Sequence, residues 1–138
     1  MVKNGNICYN EFNNQKYKGS LKMSDRVFNT LEEKVEFIDF RQELLFINDD
    51  VSRILFEYEI TKQEQLLLMD LMDNYRSKIT NRESITSHSF ENEVYRIIPT
   101  LDGNYHFCES ITRAYHLNGQ WEEVFINLYG DLPQYRNR

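Results

Sequence analysis

Apolar residues recur every three to four positions along most of this chain, a spacing that places them on one side of an α-helix. The clearest stretch follows Thr61, because a threonine with a glutamate three residues later, here Glu64, is the capping box that begins helices. Only five glycines and two prolines occur in 138 residues, so few helices are interrupted. The pattern predicts a mainly α protein.

Start and stop signals after residue 23 predict about six helices, two of them long. Ser24 is the predicted N-cap of the first helix, Ser89 caps the fourth, and Pro99 stops it. Trp121 lies near the start of the last helix, where we expect it to be buried. The predicted helices span residues 24–47, 51–58, 62–79, 89–98, 105–117 and 120–129.

The first 23 residues lack this helical spacing. Residues 16–23 alternate between Lys or Ser and Tyr, Gly, Leu or Met, which is the pattern of a half-buried strand. Asn13-Asn14 can form the tight turn to a partner strand upstream. We therefore predict a compact bundle of about six helices (24–138) with a small N-terminal β-hairpin (1–23).

The charge of the chain is distributed unevenly. The net charge is −6, but residues 1–22 hold four lysines against one glutamate, which gives +3 and leaves −9 for the rest. An acidic body argues against nucleic-acid binding as a function and leaves a protein as the expected partner. The basic arm supplies the predicted partner-binding residues, which are Tyr9, Phe12, Lys16, Tyr17 and Lys18.

Cysteine content and hydropathy bear on the cellular location. Cys8 and Cys108 lie 100 positions apart and suggest no disulfide framework, and Cys108 sits in an apolar stretch that predicts a buried thiol. The start of the chain has no apolar leader, and no apolar run is long enough to span a membrane. We expect a cytoplasmic protein that has no membrane association.

The first predicted helix is apolar on more than one face, because Phe37, Phe40 and Phe46 lie outside its main stripe. A helix of this kind needs more than one neighbour to cover it. We therefore predict a homodimer formed through this helix. The expected interface residues follow heptad spacing, with Gln42 as the polar exception: Phe28, Leu31, Val35, Ile38 and Leu45.

Candidate catalytic residues are few. The spacing of Glu33, Glu36 and Asp39 is similar to that in all-helical nucleotide hydrolases, which bind Mg²⁺ between acidic helices. His106, Glu109 and Arg113 share one helix face, where a surface pair of Glu109 with Arg113 is the expected arrangement. No glycine-rich phosphate loop is present. We expect no metal and no cofactor.

The order of features from Leu31 to Tyr129 resembles the YhaI-type family of small all-helical bacterial proteins of unknown function. The similarity lies in a leading helix at 31–38, a short helix ending at 56–60, the capping box at 61–64, and the segments 109–111 and 123–125. The resemblance implies a helical fold and carries over no catalytic residues. The N-terminal hairpin has no counterpart in that family.

Two functions remain open from the sequence. The first is a non-enzymatic protein–protein interaction module, a small regulator or inhibitor of another protein, carried by a mobile element. Nine Phe and nine Tyr residues favour it, because aromatic side chains are common interface anchors. The alternative is a metal-dependent all-helical nucleotide hydrolase that uses Glu33, Glu36 and Asp39.

Overall fold

The computed structural model describes residues 26–136. The chain divides into two units, Met1–Leu31 and Glu32–Arg138. Within the first unit, the described residues before Leu31 are not helical, and Val27 is exposed. The predicted hairpin and the residues of the basic arm lie outside the described residues, so both stay predictions.

The described part of the chain is all-helical. No strand occurs between residues 26 and 136. The six α-helices are α1 (Leu31–Ile47), α2 (Asp50–Glu57), α3 (Lys62–Thr80), α4 (Ser87–Ile97), α5 (Tyr105–Leu117) and α6 (Glu122–Tyr129), with a short 3₁₀ turn at Pro99–Leu101. The predicted bundle of about six helices is confirmed at this level.

The first helix begins later than the sequence signals predicted. Residues 26–30 are not helical, so Phe28 lies outside α1 and the start after Ser24 is wrong for this stretch. Thr30 directly precedes α1 and Glu33 follows three residues on, which are the residue types of a capping box. Glu32 and Glu33 also place negative charge in the first turn, where the helix dipole favours it.

Two other helix starts differ from the prediction. Helix α4 is capped by Thr86, whose Oγ1 accepts a hydrogen bond from the backbone N–H of Ser89, so Ser89 lies inside the helix. Helix α6 begins at Glu122, after Trp121 in a left-handed conformation. The predicted bounds of α5 and the stop at Pro99 are confirmed.

The core is one apolar cluster to which all six helices contribute. Its fully buried members include Leu55, Met72, Phe90, Phe107 and Val124. The prediction that Cys108 fills space in this core is confirmed, since its side chain has no solvent exposure. Helix α1 contributes Phe40 and Leu44 at one side only, and its other side is left without a covering element in the described part of the chain.

Candidate functional site

Helix α1 exposes a row of apolar side chains on the side that faces away from the core. Val35, Ile38 and Leu45 are each more than half exposed, and Leu31 at the start of the helix is also exposed. Phe28 is half-buried and precedes the helix. Four of the five predicted interface residues therefore lie on α1 and are open to solvent, while the homodimer itself stays a prediction.

The end of α1 carries the most exposed aromatic side chain of the helix. Phe46 is 91% exposed, and Ile47 beside it is about half exposed. The carboxylate of Glu43, one turn before, lies 3.7 Å from the ammonium nitrogen of Lys62 at the start of α3. Leu66, one turn after Lys62, is also exposed. Apolar residues thus flank this ion pair on both helices.

The acidic residues of the predicted metal site do not form a cluster. Glu33, Glu36 and Asp39 are all exposed on α1. Between residues 26 and 136, no three Asp, Glu, His or Cys side chains are arranged so that they could hold a metal ion. The described residues therefore supply no arrangement that favours the nucleotide hydrolase.

An open groove of about 420 Å³ lies between α2, α5 and the segment after α6. Ile54, Ala114 and Leu117 form its apolar lining. Its charged lining consists of two basic side chains, Arg53 and Arg113, and two acidic ones, Asp50 and Glu57. The lining is therefore neutral overall. Its volume is that of a small-molecule site, but its charges select no ligand class.

The predicted pair of Glu109 with Arg113 is replaced by contacts to the C-terminal segment. Glu109 accepts hydrogen bonds from the hydroxyl of Tyr135 and, at 3.0 Å, from the amide of Gln134. The guanidinium of Arg113 lies 5.3 Å from the centre of the Tyr135 ring. The surface pair was therefore wrong, because Tyr135 is distant in sequence and the i, i+4 spacing does not anticipate it.

Polar side chains of α4 are bonded to tyrosines at the edge of the core. Tyr129 Oη donates to Glu91 Oε1 at 3.0 Å, and Tyr75 Oη donates to Glu93 Oε1 at 3.2 Å. Burial and the neighbouring carboxylates raise the pKa of both tyrosines well above the usual value. These hydroxyls remain protonated at neutral pH and have the character of structural donors.

Cys108 has no features of a nucleophile. The pKa of its thiol is raised to about 12, mainly by burial and further by the negative charge of the nearby Glu91 carboxylate. A reactive cysteine needs a lowered pKa and access to solvent. His106, two residues before it on α5, is exposed, whereas the thiol is buried.

Trp121 joins the α5–α6 turn to α3. Its Nε1–H donates to Asp73 Oδ1 at 2.7 Å, and its ring meets Tyr115 edge-on, with the ring centres 4.9 Å apart. Arg76 on α3 forms an ion pair with Glu123 at the start of α6. The start of α6 is therefore occupied by contacts within the bundle. Its first turn also holds two acidic residues, Glu122 and Glu123, which would repel the phosphates of a nucleic acid and do not favour α6 as a DNA-reading helix.

The described part of the chain is thus an all-helical bundle with an exposed apolar helix face and without a group of three His, Cys, Asp or Glu side chains that could hold a metal ion. Among the described residues, no helix is long and apolar enough to cross a membrane. No family model matches the chain, and no solved structure matches it. The resemblance to the YhaI-type family therefore stays a prediction.

The chain is similar to a short part of much larger proteins, each described as one subunit of an ATP-dependent helicase/nuclease. Two such proteins, from two strains of Clostridium kluyveri, are 28% identical to it over 109 residues. The match covers 78% of this chain and 9% of each relative. The chain therefore spans about a tenth of the length of these curated relatives.

Proposed function

We propose that this chain is a non-enzymatic protein–protein interaction module, a small regulator that binds another protein. The observation that carries the proposal is the apolar outer face of α1, with Phe46 almost fully exposed and Ile47 beside it. Large exposed apolar patches are typical of protein–protein and membrane interaction sites and of ligand-binding grooves. Leu66 and Leu67 are also exposed, on α3, whose Lys62 is paired with Glu43 of α1.

The similarity to the helicase/nuclease proteins suggests where the partner is to be sought. The relatives are described as one subunit of an ATP-dependent helicase/nuclease, and this chain corresponds to about a tenth of their length. We propose that the chain occupies the place of the matching segment in a contact with such an enzyme and thereby changes the activity of that enzyme. This role needs no active site in the chain itself.

The basic arm remains a proposed second contact. Tyr9, Phe12, Tyr17, Lys16 and Lys18 combine aromatic anchors with positive charge, which suits an acidic protein surface. These residues lie outside the described part of the chain. The proposal for the arm therefore rests on its composition alone.

Affinity capture with two matched variants tests the function. The full chain is immobilised and incubated first with host extract and then with a purified ATP-dependent helicase/nuclease. Phe46→Lys should lose the captured protein, whereas Ile126→Lys, at a half-exposed position on α6, should keep it. If both variants capture the same proteins as the unmodified chain, the outer face of α1 is not the partner-binding surface and the proposal fails.

A further inference from the structure

Helix α1 carries apolar side chains on two opposite sides. Phe40 and Leu44 face the core, and Phe37 is also buried. Val35, Ile38 and Leu45 are exposed. At 100° per residue, the centre of the exposed set lies roughly 150° around the helix from the centre of the buried set. One helix can therefore pack on its own bundle and present a second apolar seam to another molecule.

The exposed seam follows heptad spacing. Val35, Ile38, Gln42 and Leu45 are separated by three, four and three residues, which places Val35 and Gln42 at a positions and Ile38 and Leu45 at d positions. Leu31 occupies the preceding d position. This spacing suits a helix as the occupant, because knobs at a and d fit the holes of a second helix with the same repeat.

The charges beside the seam match those of a second copy in parallel orientation. Lys34 is at a g position and Asp39 at an e position, and both are exposed. In a parallel pair, a g residue faces the e residue five positions later on the other helix, so Lys34 would face Asp39 of the second copy. Neither side chain takes part in an ion pair within residues 26–136.

An antiparallel pair would place like charges together. It would bring the acidic e positions Glu32 and Asp39, which are both exposed, towards each other. The g position Arg41 is bonded to the Phe56 carbonyl at 2.9 Å and is not available to either arrangement. Gln42 also suits the parallel arrangement, because two facing amide groups can each donate and accept a hydrogen bond. A polar residue at one a position commonly selects register and strand number in coiled coils.

We propose that the seam formed by Val35, Ile38, Gln42 and Leu45 binds the same seam of a second copy as a short, parallel two-stranded coiled coil. The inference goes beyond the proposed function and does not depend on it, because a second copy binds the seam whether or not another protein is bound. About two heptads take part, fewer than the roughly three to four of a long coiled coil, so we expect a weak dimer that forms only as the concentration rises. Phe46 occupies the e position after Leu45 and therefore flanks the seam, whereas Ile47 occupies the f position outside it and remains available to a different protein.

Sedimentation of the full chain over a wide concentration range tests the dimer. The average mass should rise from 16.7 kDa towards twice that value as the concentration increases. Ile38→Lys should hold the chain at the mass of the monomer, whereas Ile126→Lys should leave the association unchanged. Both positions are exposed, so neither substitution threatens the fold, which circular dichroism checks. Gln42→Leu should strengthen the association by making the seam wholly apolar.

Charge reversal distinguishes the orientation. In the parallel dimer, Lys34→Glu should weaken association about two- to tenfold, and combining it with Asp39→Lys should restore it. In the parallel dimer, Asp39→Lys alone should also weaken association, because residue 39 then faces Lys34. In an antiparallel dimer, Asp39→Lys alone would strengthen association, because residue 39 would then face Glu32. That result would overturn the parallel arrangement.

The dimer and the partner-binding function can fail separately. A chain that stays at 16.7 kDa at every concentration overturns the dimer, even if Phe46→Lys still abolishes capture of a partner. If the chain dimerises through Ile38 but captures no partner, the dimer is supported and the proposed regulatory role fails.

Discussion

Trp121 has a backbone conformation that a large side chain seldom adopts. Its φ of 45° and ψ of 42° lie in the left-handed region, yet its side chain is only 7% exposed. The bond to Asp73 and the packing on Tyr115 hold it there. The prediction that Trp121 is buried is confirmed, and its role is to attach the start of α6 to α3.

Truncating Trp121 should therefore cost much of the stability of the bundle. We expect Trp121→Ala to lower the free energy of unfolding by about 3–5 kcal/mol, because it leaves a cavity among aromatic side chains. Trp121→Phe keeps an aromatic ring but removes the donor to Asp73, and because that carboxylate is exposed and water can replace the donor, we expect the lost bond to cost about 0.5–1.5 kcal/mol. Urea unfolding followed by circular dichroism measures both. A Phe variant as stable as the unmodified chain would show that the bond to Asp73 contributes nothing.

The thiol of Cys108 should make stability depend on pH in the alkaline range. Burial raises its pKa from the ordinary 9.0 to about 12, so the folded state binds the thiol proton more tightly than the unfolded state. Stability from this group is fully present below pH 9 and is lost as the pH rises towards 12. Burial also raises the pKa of Tyr95 from 10.0 to about 12, so this residue adds to the loss of stability above pH 10.

Urea midpoints measured from about pH 7 to about pH 11 test this prediction. The midpoint should fall above pH 9, and Cys108→Ala should reduce the slope of that fall while lowering stability at every pH. An equal slope in the two proteins would assign the alkaline loss to other groups.

At the scale of elements, the start of α3 is the best-defined local structure. The backbone N–H of Thr61 donates to Glu64 Oε2 at 2.9 Å, and the N–H of Glu64 donates to Thr61 Oγ1 at 3.2 Å. These two bonds satisfy two backbone donors that the helix cannot satisfy itself. The capping box predicted from the sequence is confirmed in both directions.

Removing this cap should destabilise the protein by a moderate amount. We expect Thr61→Ala to cost about 1 kcal/mol, up to about 2 kcal/mol. Thr80→Ala, at the other end of α3, should stay within about 0.5 kcal/mol because its hydroxyl caps no N-terminus. Thermal unfolding at one pH compares the two variants. If both variants lost the same stability, the capping bonds at Thr61 would contribute no more to the free energy of unfolding than the hydroxyl of Thr80 does.

At the scale of the whole molecule, the buried core among residues 26–136 extends from Phe40 to Tyr129 and draws on all six helices. We therefore predict that removal of residues 1–22 leaves a folded helical protein and weakens its binding to a partner. Circular dichroism and affinity capture compare the truncated chain with the full chain. Loss of the helical signal would show that the N-terminal segment belongs to the folding unit. Retention of both fold and partner would show that the arm is dispensable.

Most helix positions could be predicted from the sequence, because caps and apolar spacing act within a few residues. Thr61 with Glu64, the stop at Pro99 and the bounds of α5 all depend on contacts of this range. The start of α1 was predicted at Ser24 and was wrong, although Thr30 and Glu33, three residues apart, are the residue types of a capping box at the observed start.

Other features depended on the tertiary structure, because they join residues far apart in the chain. The periodicity of α1 showed two apolar faces but not which one the bundle buries; packing of Phe40 and Leu44 decided that and left Ile38 exposed. The left-handed Trp121 likewise has its hydrogen-bond partner, Asp73, 48 positions away in the chain. Local chemistry determined where the helices form, and burial against distant neighbours determined which of their faces remain available for binding.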